Sequence, residues 1–231
     1  MPMHIGLIGG IGPAATELYY RALVKLYADA GQRLVLTIAN ADVREMTGNI
    51  EAGNAEAQAA IFAAYVDQLK AGGCDAVALT SMGGHFCIRQ LEAIATLPLI
   101  SAIPALEAHF AAMGAKRVGL LGTRIVMDSK LYGLSSVEVV TPAPEDLPTV
   151  HAAYVALAIA GAASDEQRRY FEAAALKLRR DQGAEAIVLG GTDLFLAFDK
   201  GDYGYPIVDC AMVHAEAIAR LAMDEGVGRH R

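Results

Sequence analysis

Residues Thr80 to His85 read Thr-Ser-Met-Gly-Gly-His and follow directly on the apolar run AVAL. A buried parallel strand ends in this manner where it presents a reactive group to the ligand side of a sheet. Ser81 and His85 are the chemically capable residues of this stretch, with Met82, Gly83 and Gly84 lining the same turn. A serine hydroxyl is a poor nucleophile or base without a partner, and His85, four residues on, can serve only if the turn folds back. A histidine beside a helix start more often caps or packs. A second stretch of this kind, Gly190-Gly191-Thr192-Asp193, follows the run AIVL. It offers backbone N–H groups, a hydroxyl and a carboxylate, and Asp193 either caps the next helix or is the titratable group at that strand tip. A third lies at Gly9 to Thr16, GGIGPAAT, where Gly10 and Gly12 allow a tight turn and Pro13 suits a first helical turn. Free N–H groups there would suit a carboxylate or phosphate, and a plain strand-to-helix turn explains the same residues equally well. Gly10, Gly12 and Ala15 also satisfy a G-x-G-x-x-A dinucleotide pattern, with Asp42 near the position of a ribose-binding acid.

The elements that must position these residues are short Val/Ile/Leu runs alternating with longer amphipathic stretches. IGLIG, LVLTIAN, AVALT and PLISA are followed by VGLLG, VEVVTP, AIVLG and PIVDC, a pattern of βαβ units on parallel sheets. The chain also resembles itself. His4 to Tyr20 aligns without gaps on Arg117 to Gly133, placing Leu18-Tyr19 on Leu131-Tyr132; Gly73 to Gly84 aligns on Gly183 to Leu194, and Leu97 to His109 on Tyr205 to Ala217. Three matched segments in one order imply two homologous α/β halves, each near the usual domain size of about one hundred residues. The expected division is 1–104 plus 205–231 for one domain and 105–204 for the other. The ligand site is expected in a cleft between them, beyond the carboxyl ends of the strands. In this pairing Ser81 of one half corresponds to Gly191 of the other.

Composition limits the function classes. With 231 residues, 54% hydrophobic, the chain can build substantial cores, and a formal charge of −7 with no Lys/Arg cluster argues against nucleic acid. The apolar run YVALAIAGAA is too short to span a bilayer, so no membrane partner and a cytoplasmic location are expected. Cys74, Cys87 and Cys210 are odd in number and widely spaced, which indicates neither a disulfide framework nor a metal site. EQRRYFEAAALKLRRDQ reads as a helix with a solvated charged face.

At these residues the sequence resembles the aspartate/glutamate racemase family over essentially its whole length. GLIGGIGPAAT is similar to that family's G-G-M-G-P-x-A-T loop, VGLLGT with SKLY to its mid-chain strand and helix, and YPIVDCAMVHAEA to its closing P-x-x-D…H-A segment. The resemblance implies racemisation of small acidic amino acids without a cofactor, by two cysteines flanking the substrate α-carbon. It also implies polar clamps for the carboxylates, which fall on Asn40, Arg44 or Met46, and Thr123. The family's first cysteine motif, P-C-N-T-A-H, here reads Thr80-Ser81-Met82-Gly83-Gly84-His85, and its second, L-G-C-T-E, reads Leu189-Gly190-Gly191-Thr192-Asp193. Both thiols are missing. A thiol is easily perturbed into a usable base, whereas a serine alkoxide is out of reach without a partner.

The expected function is therefore a cofactor-independent isomerase acting at the α-carbon of a small carboxylate, with two-thiol racemisation absent or very weak. Ser81, Asp193 and His85 are the candidate catalytic residues. Gly10, Gly12, Thr16, Asn40, Arg44, Met82, Gly83, Gly84, Thr123, Gly191 and Thr192 are the candidate substrate contacts, with no metal. The alternatives are a metabolite-binding protein without chemistry, or a decarboxylase or lyase on the same fold; a dinucleotide-dependent oxidoreductase ranks last because it leaves the duplication unexplained. A homodimer is expected.

Overall fold

The computed structural model describes residues 2–198 and 201–228, so positions 1, 199–200 and 229–231 of the expected domains lie outside the described residues. Two compact units emerge. The first comprises residues up to Ala102 together with those from His214 onward, and the second is the single run Ile103–Val213.

The first unit contains β1 (His4–Gly9), α1 (Pro13–Asp29), β2 (Val35–Asn40), α2 (Val43–Glu51), α3 (Ala55–Ala71), β3 (Ala76–Leu79), a 3₁₀ turn at Gly83–Cys87 and α4 (Ile88–Ile94). Its strands form a parallel sheet in the order β2-β1-β3, extended by a single bridge between Val77 and Leu99. Helix α3 begins where the Asn54 side chain accepts from Ala57 N–H and ends before Gly73, whose φ of 85° suits glycine. Phe62, Val66 and Leu69 recur at helical spacing and are buried with Ile8, Val77, Leu79 and Leu91.

Helix α5 (Ala102–Met113) leads into the second unit, which holds β4 (Arg117–Leu121), α6 (Arg124–Asp128), the short turn α7 (Lys130–Gly133), β5 (Glu138–Val140), α8 (Leu147–Ala160), α9 (Asp165–Gln182), β6 (Ala186–Leu189) and β7 (Ile207–Asp209). Its parallel sheet runs β5-β4-β6-β7. The stretch read as a charged-faced helix is α9, started by a Ser164–Gln167 capping box and ended at Gly183, with Phe171, Ala175 and Leu178 buried. Helix α10 (Cys210–Gly228) starts in the second unit and passes into the first at His214.

The internal repeat holds at the level of individual backbone hydrogen bonds. Asp75 N–H donates to His4 O (2.8 Å) and its counterpart Glu185 N–H to Arg117 O (2.9 Å). Thr80 N–H donates to Ile8 O (3.1 Å), and Gly190 N–H to Leu121 O (2.8 Å). Val77 N–H donates to Pro98 O (2.9 Å), as Ile187 N–H does to Pro206 O (3.0 Å). Two expectations are corrected. Because Ile207–Asp209 adds to β6, residues 205–213 belong with the second unit, and the return to the first begins at His214. The match of Tyr132 to Tyr19 does not survive folding: Lys130, Leu131 and Tyr132 have φ of 49°, 57° and 61°, so the chain turns left-handed where α1 continues as a helix.

Candidate active site

In the first unit the loop after β1 is held from inside. Gly10 N–H donates to Thr16 Oγ1 (3.0 Å), Thr16 Oγ1 donates to Gly12 O (3.1 Å), and the same hydroxyl lies 3.2 Å from that of Thr80. The Thr16 hydroxyl and the Gly10 N–H, both expected substrate contacts, thus hold the loop's own shape. What Gly10 supplies is clearance: at φ 79° a Cβ there would lie 2.4 Å from Asn40 Oδ1 and 2.5 Å from Ala41 O. Gly12, at φ 141°, is the residue before the first turn of α1. Asn40 is exposed at the end of β2 and donates to Ala41 O.

Arg44 projects from α2 into solvent and forms a two-point ion pair with Asp42 (2.7 and 3.1 Å). Asp42 also caps α2 through Arg44 N–H, and these bonds draw its carboxyl down to about 2. The Asp42 carboxylate is committed to helix and arginine, and the dinucleotide alternative loses its ribose-binding acid. The Met46 side chain lies on the other side of this helix, buried, its methyl 4.0 Å from where a Cβ on Gly83 would be.

The Thr80–His85 turn does fold back, and the outcome differs from the expectation for His85. The His85 ring meets the carbonyl of Ser81, not its hydroxyl: Nδ1 lies 2.8 Å from Ser81 O, and Nε2 accepts from Ala102 N–H at 3.1 Å. A backbone N–H can only donate and a carbonyl only accept, so the proton sits on Nδ1 and both nitrogens are engaged. The ring is fully enclosed, and burial pushes its pKa down to about 4. His214 repeats the arrangement, donating from Nε2 to Ile100 O (2.8 Å) and accepting at Nδ1 from the Tyr19 hydroxyl (2.8 Å), edge-on to His85 at 5.8 Å. His85 is therefore a structural pin. The Ser81 hydroxyl accepts from Gly84 N–H at 3.4 Å. Met82 is buried, and Gly84 packs against Ile11 and Phe62.

In the second unit the strand tips are served by one helix. On α8, His151 and Tyr154 lie one turn apart. His151 Nδ1 accepts from Arg124 N–H (3.2 Å), capping α6 in place of Thr123, whose buried Oγ1 makes no hydrogen bond among the described residues. Tyr154 reaches the turn after β6, where its hydroxyl donates to Asp193 Oδ2 at 2.7 Å in a buried setting. Burial raises the Asp193 carboxyl above the usual carboxylate range, and the Tyr154 hydrogen bond opposes that rise. Burial, and then the neighbouring Asp193 charge, raise the Tyr154 phenol well above 10. Thr192, also buried, hydrogen-bonds the phenol.

Gly191 has no room for a side chain. A Cβ there would lie 2.3, 2.8 and 2.9 Å from three carbons of the Tyr154 ring. Gly122 backs the same turn, since a Cβ on it would meet Gly191 N at 2.8 Å. The sequence reading missed Tyr154 and His151 because they lie within an apolar helix whose pattern signals only packing. The available signal was a histidine and a tyrosine at i and i+3 near a helix start. Among the described residues no cluster of three or more His, Cys, Asp or Glu side chains could hold a metal ion, and no helix is long and apolar enough to cross a membrane.

The family model for Asp/Glu/hydantoin racemase matches residues 8–218. Solved structures agree. A Yersinia pestis protein assigned to the Asp/Glu racemases superposes with a TM-score of 0.84 at 26% identity, covering 96% of this chain and 99% of its own. An aspartate racemase homologue from Pyrococcus horikoshii gives 0.78 at 24% identity, covering 95% and 99%. The Picrophilus torridus aspartate racemase gives 0.77 at 21%, covering 95% and 94%. The last two, at such identity, bear on the fold alone.

Proposed function

The chain belongs to the Asp/Glu/hydantoin racemase family, and from that premise we propose that it moves a proton at the α-carbon of a small carboxylate with a carboxyl base in place of the two thiols. The observation that carries this is the Asp193 carboxyl, buried at the tip of β6, raised in pKa and held by Tyr154. A carboxyl whose proton affinity is raised by burial is a stronger base than an exposed one, which suits such a step. Asp193 takes the α-proton as its carboxylate, the electron pair left on carbon delocalises into the substrate carboxylate as an enolate, and the acid form returns the proton. In the first unit His85, the histidine of the Ser81 turn, bonds backbone groups and does not reach the Ser81 hydroxyl. A single proton-handling group favours exchange or one-sided protonation over efficient inversion, so racemisation of aspartate or glutamate is expected to be absent or very weak.

The test is α-deuterium incorporation in D₂O, followed by NMR over a panel of amino acids, hydantoins and malonates. Exchange by the wild type and its loss, by about 100-fold or more, in Asp193→Asn supports the assignment. Exchange that survives Asp193→Asn removes Asp193 from the mechanism. Binding of panel compounds without exchange by any of them would favour the second reading, a metabolite-binding protein, which the loss of both thiols also supports. No cofactor is required for this step, and the chain is proposed to act as a homodimer.

A further inference from the structure

We propose that Tyr154 is the replacement for the side chain missing at position 191: its ring occupies the space a cysteine there would need, and its hydroxyl positions the Asp193 carboxylate. This deepens the assignment of Asp193 as the base and rests on it for its catalytic meaning, though not for its structural content.

Three observations converge. The ring of Tyr154 stands within 2.3 Å of the position of a residue-191 Cβ, so the two side chains exclude one another. The ring is not a flexible end that can swing away, because it is buried, carried on the inner face of α8, and tethered at its hydroxyl to Asp193 by a 2.7 Å bond. Third, the backbone that a larger turn would need is blocked from the other side by Gly122, which packs directly on Gly191 N. The turn therefore admits either a side chain at 191 or the phenol from α8. With the phenol in place, the group that reaches the β6 tip enters from a helix rather than from the strand, and it comes with a hydroxyl that fixes which oxygen of Asp193 is occupied. Oδ2 takes the phenol hydrogen, which sets the orientation of the carboxylate in the turn. Tyr154 is thus a positioning residue, acting through Asp193.

Two sets of variants test this without depending on turnover. Tyr154→Phe keeps the ring and removes the hydrogen bond that favours the charged carboxylate, so the Asp193 titration followed by ¹³C carboxyl NMR is expected to move up by roughly one pH unit. An unchanged Asp193 titration would overturn the positioning role. Where exchange is measurable, the acid limb of its pH profile is expected to move with the NMR value. For the exclusion, Gly191→Cys alone is expected to lower Tm by roughly 5 °C or more, and the same cysteine introduced beside Tyr154→Ala to cost clearly less. Equal cost in both backgrounds would overturn it. If neither wild type nor variants exchange any substrate while the titration and the stability coupling come out as expected, the base assignment fails and the structural replacement stands.

Discussion

At the scale of single residues, the two strand tips differ in what they offer. Ser81 keeps a hydroxyl, but its histidine neighbour bonds the carbonyl of the same residue. Ser81→Ala is therefore expected to leave α-proton exchange within roughly threefold of wild type, because His85 bonds the backbone and does not activate the hydroxyl. A fall comparable to that of Asp193→Asn would show that Ser81 handles the proton. Gly10 is constrained both by its backbone and by its neighbours. Gly10→Ala combines a positive φ with contacts of 2.4 and 2.5 Å to Asn40 Oδ1 and Ala41 O, and a loss of about 2 kcal/mol or more is expected in urea unfolding. Ser81, Gly191 and Asp193 were legible in the sequence because strand tips announce themselves by a change from apolar to small and polar residues. The roles of Thr16 and His85 were not, since a motif names a residue but does not say whether its polar atoms are already spent on the backbone. Tyr154 was invisible for a different reason: it arrives from a helix remote in sequence, and helical periodicity reports only that it is inside.

At the scale of elements, the turn after β3 is fastened by two buried rings. His85 and His214 hold the Ser81 carbonyl, Ala102 N–H, the Ile100 carbonyl and the Tyr19 hydroxyl, tying the turn to the segment after Leu99, to α1 and to α10. Both rings are neutral when folded, with pKa values pushed down from 6.5 to about 4 and about 3 by burial, His85 further lowering His214. Between those values and 6.5 the unfolded chain binds more protons than the folded one. Their contribution is consequently whole above pH 6.5 and falls as pH drops, by on the order of 3 kcal/mol per ring at pH 4. Asp209, half-buried at the end of β7 with its carboxyl raised to about 6 by desolvation, works in the opposite sense over part of this range. Urea midpoints at pH 7 and pH 4.5 should therefore differ strongly in wild type. The difference should shrink in His214→Gln, whose amide does not titrate; an equal difference in both would remove His214 from the acid response.

At the scale of the whole molecule, the duplication predicted from three aligned segments recurs in equivalent backbone hydrogen bonds of the two sheets, which is why the α/β architecture was readable in advance. The division of the chain was less so. Residues 205–213 look like a repeat of 97–105 and behave as one, pairing with β6 just as Leu99 bridges to Val77. The helix after each closing strand then leaves for the other unit, α5 from Ala102 and α10 from His214. Local pattern does not encode such an exchange. It makes a prediction: residues 103–213, a continuous run, are expected to melt cooperatively when expressed alone. Residues 1–102, deprived of the His214 ring that bonds Tyr19 and Ile100, are expected to lack a sharp thermal transition by circular dichroism. A cooperative melt of 1–102 would mean that α10 is dispensable to its core.

The phenol standing where a side chain at position 191 would stand has a consequence for how such proteins could diverge. A reactive location can keep its coordinates while its occupant changes chain address, the vacancy left by a shrinking residue being filled by one that grows from a neighbouring element. Lineages that trade occupants in this way would look inactive when compared column by column, yet their cavities would remain furnished. Tracing them requires asking what fills a given volume, whichever part of the polypeptide it comes from.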